Sequence, residues 1–182
     1  MSPREVLPDA DALKADALKK VRLLLLDVDG VLTDGTIIYN EDGSETKRFH
    51  VRDGLGIRLL MEAGIGVAIV TGRSSRALHH RCRNLGIEAI YDGVEDKGAL
   101  ISRIEVRTGV SPDEMAFVGD DLPDLPLMRR VGISVAVADG HPAVREAADM
   151  TTAAPGGKGA VREVCEAILK ARGFWEKMKG KF

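Results

Sequence analysis

Aromatic residues are scarce. Only 4% of the 182 residues are Phe, Tyr or Trp, although 45% are hydrophobic. A chain of this length can bury a core, and that core must be aliphatic. There are only two cysteines, Cys82 and Cys165, far apart and without metal-ligand spacing, which excludes a disulfide framework or a zinc knuckle. Two buried, reduced thiols are expected. Neither sign of charge dominates: the net charge is −2, so no global basic surface points to nucleic acid. No apolar run approaches the roughly 20 residues that a membrane span needs. The first twenty residues, MSPREVLPDADALKADALKK, carry charge throughout and lack the apolar centre of a signal peptide. A cytoplasmic protein with neither nucleic acid nor membrane as partner is expected. No G-x-G-x-x-G follows an apolar run, which argues against a dinucleotide enzyme. Gly156-Gly-Lys-Gly159 lacks P-loop spacing and reads as a tight turn more than as an anion nest.

What the chain does have begins at Val21. The run VRLLLLDVDGVLTDG is apolar from Val21 to Leu26 apart from Arg22, then ends abruptly in Asp27 and Asp29. A short apolar run without alternation reads as a strand buried on both faces of a parallel sheet. Open sheets of this kind place ligands beyond the carboxyl ends of their strands. Two carboxylates there are costly unless something neutralises them.

Further strands are predicted at Val67–Val70, Ile87–Tyr91, Met115–Val118, Ser134–Ala138 and Met150–Ala153. They alternate with helices predicted at Asp53–Gly64, Ser74–Leu85, from Lys97 to near Gly109, and over Leu125–Val131, His141–Ala148 and Val161–Ala171. That alternation predicts an α/β fold: a Rossmann-like three-layer sandwich with a mostly parallel sheet. No linker divides the chain, so residues 1–182 are expected to form one domain with its core at about 20–172. Asn40-Glu-Asp-Gly43 between two β-like flanks predicts a β-hairpin flap over 34–51, inserted straight after the first strand. An isolated hairpin is marginal in water, so its apolar side is expected to meet other subunits rather than solvent. Residues 1–20 read as a leader in which Ala10, Leu13, Ala17 and Leu18 could line one face of a loosely packed helix.

Placed side by side, the strand ends carry Asp27 and Asp29, then Thr71-Gly72-Arg73, then Asp120, Asp121 and Asp124, with Lys97 after the third strand. Taken singly, Thr71 reads better as a helix cap, Lys97 as a surface charge, and the acids near Asp120 equally well as a capping cluster. Their joint occurrence, each at a strand end, changes that balance toward a cation and substrate site.

The set D-x-D-G-V-x-T-D-G, V-T-G-R, a lone Lys and G-D-D-x-x-D resembles the haloacid dehalogenase-like phosphatases. Within them, FHVRDGLGIRLL, VAIVTGR, GDDLPDLPLM, VAVADGHP and GGKGAVREVC are similar to the capless 3-deoxy-D-manno-octulosonate 8-phosphate phosphatase family. The resemblance implies a magnesium-dependent hydrolase of a small phosphorylated sugar acid, serving lipopolysaccharide synthesis, and a homotetramer assembled through its hairpins. It implies Asp27 as nucleophile, Asp29 as acid and base, and Lys97 and Thr71 as phosphoryl-stabilising groups. Mg2+ would be held by Asp27, the carbonyl of Asp29, and Asp120, with Asp121 and Asp124 behind them. Gly72, Arg73, Arg81, His50, Arg52, Gly54 and Arg58 would surround the substrate. Arg58 reads equally well as a solvated helix residue, and for Arg81 the reading as a surface charge stays open. The tail at 173–182 would cover a neighbouring site or fray. Other readings are a phosphatase of a nine-carbon keto-sugar acid 9-phosphate, a receiver-like signalling domain, against which the second acid speaks, and a non-catalytic scaffold.

Overall fold

A computed structural model describes residues 10–181, with side chains from Lys14 onward. Helix α1 (Ala10–Lys20) leads into β1 (Leu23–Leu26). A hairpin, β2 (Ile38–Tyr39) and β3 (Glu45–Thr46), follows, and then α2 (Val51–Glu62). The chain continues through β4 (Gly66–Val70), α3 (Arg76–Leu85), β5 (Ala89–Tyr91), α4 (Ile101–Thr108) and β6 (Met115–Gly119). It closes with α5 (Leu125–Met128), β7 (Ile133–Ala136), α6 (Pro142–Ala147), β8 (Met150–Thr151), α7 (Ala160–Ala171) and α8 (Trp175–Lys179).

Six strands form one sheet in the order β5-β4-β1-β6-β7-β8, every pair parallel. β1 sits in the middle, with Leu26 in register with Ile69 on one side and Val118 on the other. All four of its leucines are buried. Alternation sends Leu24 and Leu26 into a core shared with α2, α3 and α7, and Leu23 and Leu25 into one shared with α4 and α5. Burying each such leucine contributes roughly 1.5–3 kcal/mol. The strand order reverses at β1, and the crevice beside β1 and β6 is where an open sheet of this kind takes its ligand.

Several expected boundaries move. Lys97 does not begin a helix: it lies in a turn ahead of α4, where Gly98 passes so close to Pro126 that a Cβ would stand 2.8 Å from the proline's own. The hairpin is shorter than its flanks suggested, pairing only Ile38 with Thr46 and Tyr39 with Glu45. Its second flank leaves the ladder, and Val51 is already helical because His50, in extended backbone, acts as the N-cap of α2.

Helix α1 is not loose where its side chains are described. Leu18 is buried and Ala17 packs on the same core, against α7. Residues 1–9 of the expected leader and Phe182 lie outside the described residues. The tail does not fray either. Met178 is buried, and Trp175 lies under the cations of Arg162 and Lys170, 5.6 and 5.2 Å from its ring centroids. Lys181 pairs with Glu62 of α2. Among the described residues no helix is long and apolar enough to cross a membrane.

Candidate active site

The carboxyl ends of β1, β4 and β6 open on a cleft of about 340 Å³. It is lined by Asp27, Asp29, Gly35, Thr71, Gly72, Arg73, Val94, Lys97, Asp120, Asp121, Pro123 and Asp124. Asp27 continues β1, its amide donating to the Val118 carbonyl at 3.1 Å, so the sheet itself fixes this carboxylate. Asp27, Thr71, Lys97 and Asp124 are all buried.

Lys97 donates to Asp27 Oδ1 at 2.7 Å and to Asp124 Oδ1 at 2.6 Å. The other oxygen of Asp124 accepts the amides of Asp120 at 2.8 Å and Asp121 at 3.2 Å. Asp124 therefore spends its lone pairs on holding Lys97 and the loop after β6. That loop must pass close to it: a Cβ on Gly119 would stand 2.6 Å from Asp124 Oδ2. Across the cleft, Gly30 has φ +92°, and a Cβ there would meet Asp120 Oδ2 at 2.1 Å. Glycine alone admits that backbone and that approach.

Asp27, Asp120 and Asp124 bring carboxylate oxygens within 4.8 Å of one another. Burial pushes Asp27 up to about 6, against the pull of Lys97. Desolvation thus outweighs the ion pair with Lys97. Burial, together with the charges of Asp27 and Asp124, pushes Asp120 up to about 8. Burial also works against the charge on Lys97, but Asp27 and Asp124 outweigh it and raise its pKa. One lysine against three clustered carboxylates leaves the cleft short of positive charge. Oxygen donors alone suit a hard divalent cation such as magnesium, so the residues present fit one.

On the β4 side, the Thr71 amide donates to the Tyr91 carbonyl at 2.9 Å and its carbonyl accepts from Val94 at 3.1 Å. The Thr71 hydroxyl oxygen accepts the Arg73 amide at 3.3 Å. These bonds present Thr71 and Gly72 to the cleft. The Gly156-Gly157 turn braces the opposite wall. The Gly157 amide donates to the Val31 carbonyl at 2.8 Å, and the Gly156 amide to Asp139 at 2.8 Å. A Cβ on Gly156 would stand 1.6 Å from the Gly30 carbonyl oxygen. The glycine cluster is thus a turn, packed on the loop behind Asp29.

The structure brings Asp27, Asp29, Thr71, Gly72, Arg73, Lys97, Asp120, Asp121 and Asp124 to this one cleft. It does not place His50, Arg52, Gly54, Arg58 or Arg81 in the cleft's walls. Arg81 instead fills the space above Gly54, where a Cβ would lie 2.3 Å from its Nη2, and stacks 5.7 Å from the Phe49 ring centroid. Arg58 donates to the Asn84 carbonyl at 2.6 Å. Arg52 is exposed. Two residues that reading the sequence missed, Glu45 and Lys47, reach the site from the hairpin: Lys47 pairs with Asp29, and Glu45 with Arg73. In sequence they were two charges on a flap, with nothing to single them out.

Residues 88–163 match the haloacid dehalogenase-like hydrolases, the class that this sheet and its acid-lined edge define. The 3-deoxy-D-manno-octulosonate 8-phosphate phosphatase KdsC of Escherichia coli K12 is 47% identical over 171 residues, 92% of this chain and 91% of that one. The crystal structure of the Yersinia pestis phosphatase of the same name superposes with a TM-score of 0.87 at 45% identity, covering 89% of this chain and 88% of that one. The Moraxella catarrhalis phosphatase, solved with magnesium ion, phosphate ion and KDO, gives a TM-score of 0.91 at 42% identity, covering 94% and 98%. The chain belongs to the 3-deoxy-D-manno-octulosonate 8-phosphate phosphatase family of haloacid dehalogenase-like hydrolases.

Proposed function

We propose that this protein is a magnesium-dependent phosphatase that releases phosphate from 3-deoxy-D-manno-octulosonate 8-phosphate, yielding the free sugar acid, a lipopolysaccharide precursor, in the cytoplasm. The observation that carries the reading is the Asp27–Lys97 pair, buried at the end of the central strand and facing Asp120 across one cleft. Similarity over nine-tenths of the chain to phosphatases of that name supports the substrate.

Asp27 attacks phosphorus as its carboxylate. The bond from phosphorus to the sugar oxygen breaks as the bond to Asp27 forms, giving an aspartyl phosphate. A carboxylate nucleophile needs positioning, which the sheet bond at its amide and Lys97 supply. Asp29 protonates the departing sugar oxygen. It then takes a proton from the water that attacks phosphorus, and the Asp27–phosphorus bond breaks to release phosphate. Positioned proton transfer of this kind contributes typically ~10²–10⁴-fold. Lys97, the Thr71 hydroxyl and the Gly72 amide hold the phosphoryl oxygens, and in such transfer positioning and charge stabilisation carry most of the catalysis. Asp27, Asp120 and the Asp29 carbonyl would hold magnesium, which supplies positive charge to the phosphoryl oxygens. Asp124 keeps Lys97 and the β6 loop in place, and Asp121 closes the rim.

The sugar acid's carboxylate suits guanidinium forks. Arg73 stands at the cleft; His50, Arg52, Gly54 and Arg58 belong to α2 or its N-cap and Arg81 to α3, a second wall that an assembled homotetramer would bring to the substrate. The exposed apolar side chains Ile37, Ile38, Tyr39, Val51 and Leu55 on the hairpin and the start of α2 support assembly through that face.

The test is phosphate release from the octulosonate 8-phosphate and from a nine-carbon keto-sugar acid 9-phosphate, with magnesium, by the wild type and by Asp27→Asn. The expected result is preference for the 8-phosphate and loss of at least ~10³-fold in the variant. Equal activity in the variant would end the nucleophile assignment; preference for the 9-phosphate would end the substrate assignment.

A further inference from the structure

The hairpin reaches the rim of its own chain's cleft, where it pairs with Asp29 and Arg73. Just past β3, Lys47 lays a side chain that is only 3% exposed against Asp29, its Nζ donating to Oδ1 of that carboxylate. Glu45, on the same side of the strand, has Oε2 3.6 Å from Lys47 Nζ and accepts from Arg73 through Oε1. The Nε of Arg73 stands 3.6 Å from Asp29 Oδ2. The four side chains close a ring of alternating charge: Asp29, Lys47, Glu45, Arg73.

This ring constrains Asp29 asymmetrically. Oδ1 is gripped by Lys47. Oδ2 is buried and accepts no hydrogen bond among the described residues. With Lys47 on Oδ1 and the Arg73 Nε 3.6 Å from Oδ2, the terminal torsion of this carboxylate is restrained from both sides, and Oδ2 keeps its direction at the cleft. The grip comes from a hairpin of two residue pairs, too small to be stable alone. The ring therefore also fastens the hairpin to the rim. Exposed ion pairs contribute little, but removing one partner of a buried pair leaves the other charge stranded.

We infer that Lys47 is a positioning residue for proton transfer by Asp29, held in place by Glu45, so that protonation of the leaving group depends on a docked hairpin. This rests on the reading of Asp29 as the group that protonates the sugar oxygen. No reading of the motifs assigns Lys47 or Glu45 a part in the reaction.

The experiment compares kcat/KM, at saturating magnesium, for two esters. The sugar 8-phosphate leaves as an alkoxide and needs a proton; p-nitrophenyl phosphate leaves as a stable phenolate and needs none. Lys47→Met is expected to lower kcat/KM on the sugar phosphate by ~10–100-fold and on the aryl phosphate by less than about 3-fold. Glu45→Gln should give a smaller loss with the same selectivity, and Lys47→Arg should restore most of the sugar-phosphate activity. Should Lys47→Met fail to fold, Lys47→Gln takes its place. Asp29→Asn is the reference: it must show the same selectivity, more strongly. If it lowers both esters alike, the acid assignment fails, and the inference with it. If Asp29→Asn is selective while the Lys47 variants lower both esters equally, Lys47 is merely structural and the inference is overturned.

Discussion

Replacing Asp120 with asparagine should stabilise the metal-free protein while abolishing its response to magnesium. Burial and the neighbouring charges of Asp27 and Asp124 raise Asp120 from 3.8 to about 8. A carboxyl raised in this way binds its proton more tightly in the folded than in the unfolded chain. Below 3.8 both states are protonated and stability is untouched. As pH rises above that value the unfolded chain ionises first and folding loses ground; above about 8 the whole penalty is present. Taken whole, a rise from 3.8 to about 8 corresponds to about 6 kcal/mol. Asp120 is part exposed and shares the charge conflict with Asp27, so solvent screening leaves roughly 1–3 kcal/mol. In a chain of this size that is worth roughly 2–12 °C in Tm. At pH 8, without metal, Asp120→Asn should melt higher than wild type by that margin, and the gap should be smaller at pH 5. Wild type should then gain about 2.7 kcal/mol from magnesium at ~100 times its Kd, and the variant should gain almost nothing. Thermal melts at both pH values, with and without magnesium, supply the assay. A variant that melts lower than wild type at pH 8 without metal, or that gains as much from magnesium, would refute the reasoning.

Gly156→Ala should be among the most damaging changes outside the catalytic cleft, because its Cβ would collide with the Gly30 carbonyl. Relief requires moving backbone, so a loss of ~3 kcal/mol or more in chemical denaturation is expected, whereas Gly43→Ala, with open space at its Cβ but φ +77°, should lose only about 1 kcal/mol. Asp124→Ala leaves Lys97 held by Asp27 alone and frees the amides of Asp120 and Asp121; kcat should fall ~10²-fold or more, and magnesium affinity ~10–100-fold, as for the loss of outer-shell partners. Scattering in solution should show a tetramer that Tyr39→Glu weakens, since a charge would then have to be buried where a 65% exposed ring now stands.

The sheet was legible because its central strands β1, β4 and β6 are short apolar runs, buried but for Gly66, that end in polar residues, a pattern that fits burial on both faces. Asp27, Thr71 and Asp120 could be placed at one edge because parallel connections put every carboxyl end on the same side. What escaped was what depends on three-dimensional fit. Lys47 looks like any charge in a flap, and only the fold back of residues 47–50 shows that it reaches Asp29. Lys97 reads as a helix start because helical residues follow it, yet residues 97–100 form a turn packed beside Pro126 and α4 starts only at Ile101. Asp124 read as one acid among three. Its separate character comes from accepting two amides and an ammonium at once, which no spacing encodes. The tail's Trp175 was visible as an aromatic on an aromatic-poor chain, but its packing under Arg162 and Lys170 needed the position of α7.

The central claim is that Asp27 becomes phosphorylated. Enzyme quenched during turnover with magnesium and the 8-phosphate, reduced with borohydride and digested, should carry the alcohol derived from an acyl phosphate at residue 27, and at no other acid. If the quenched protein is modified at another carboxylate while Asp27 stays intact, or at none while phosphate is being released, the account is contradicted.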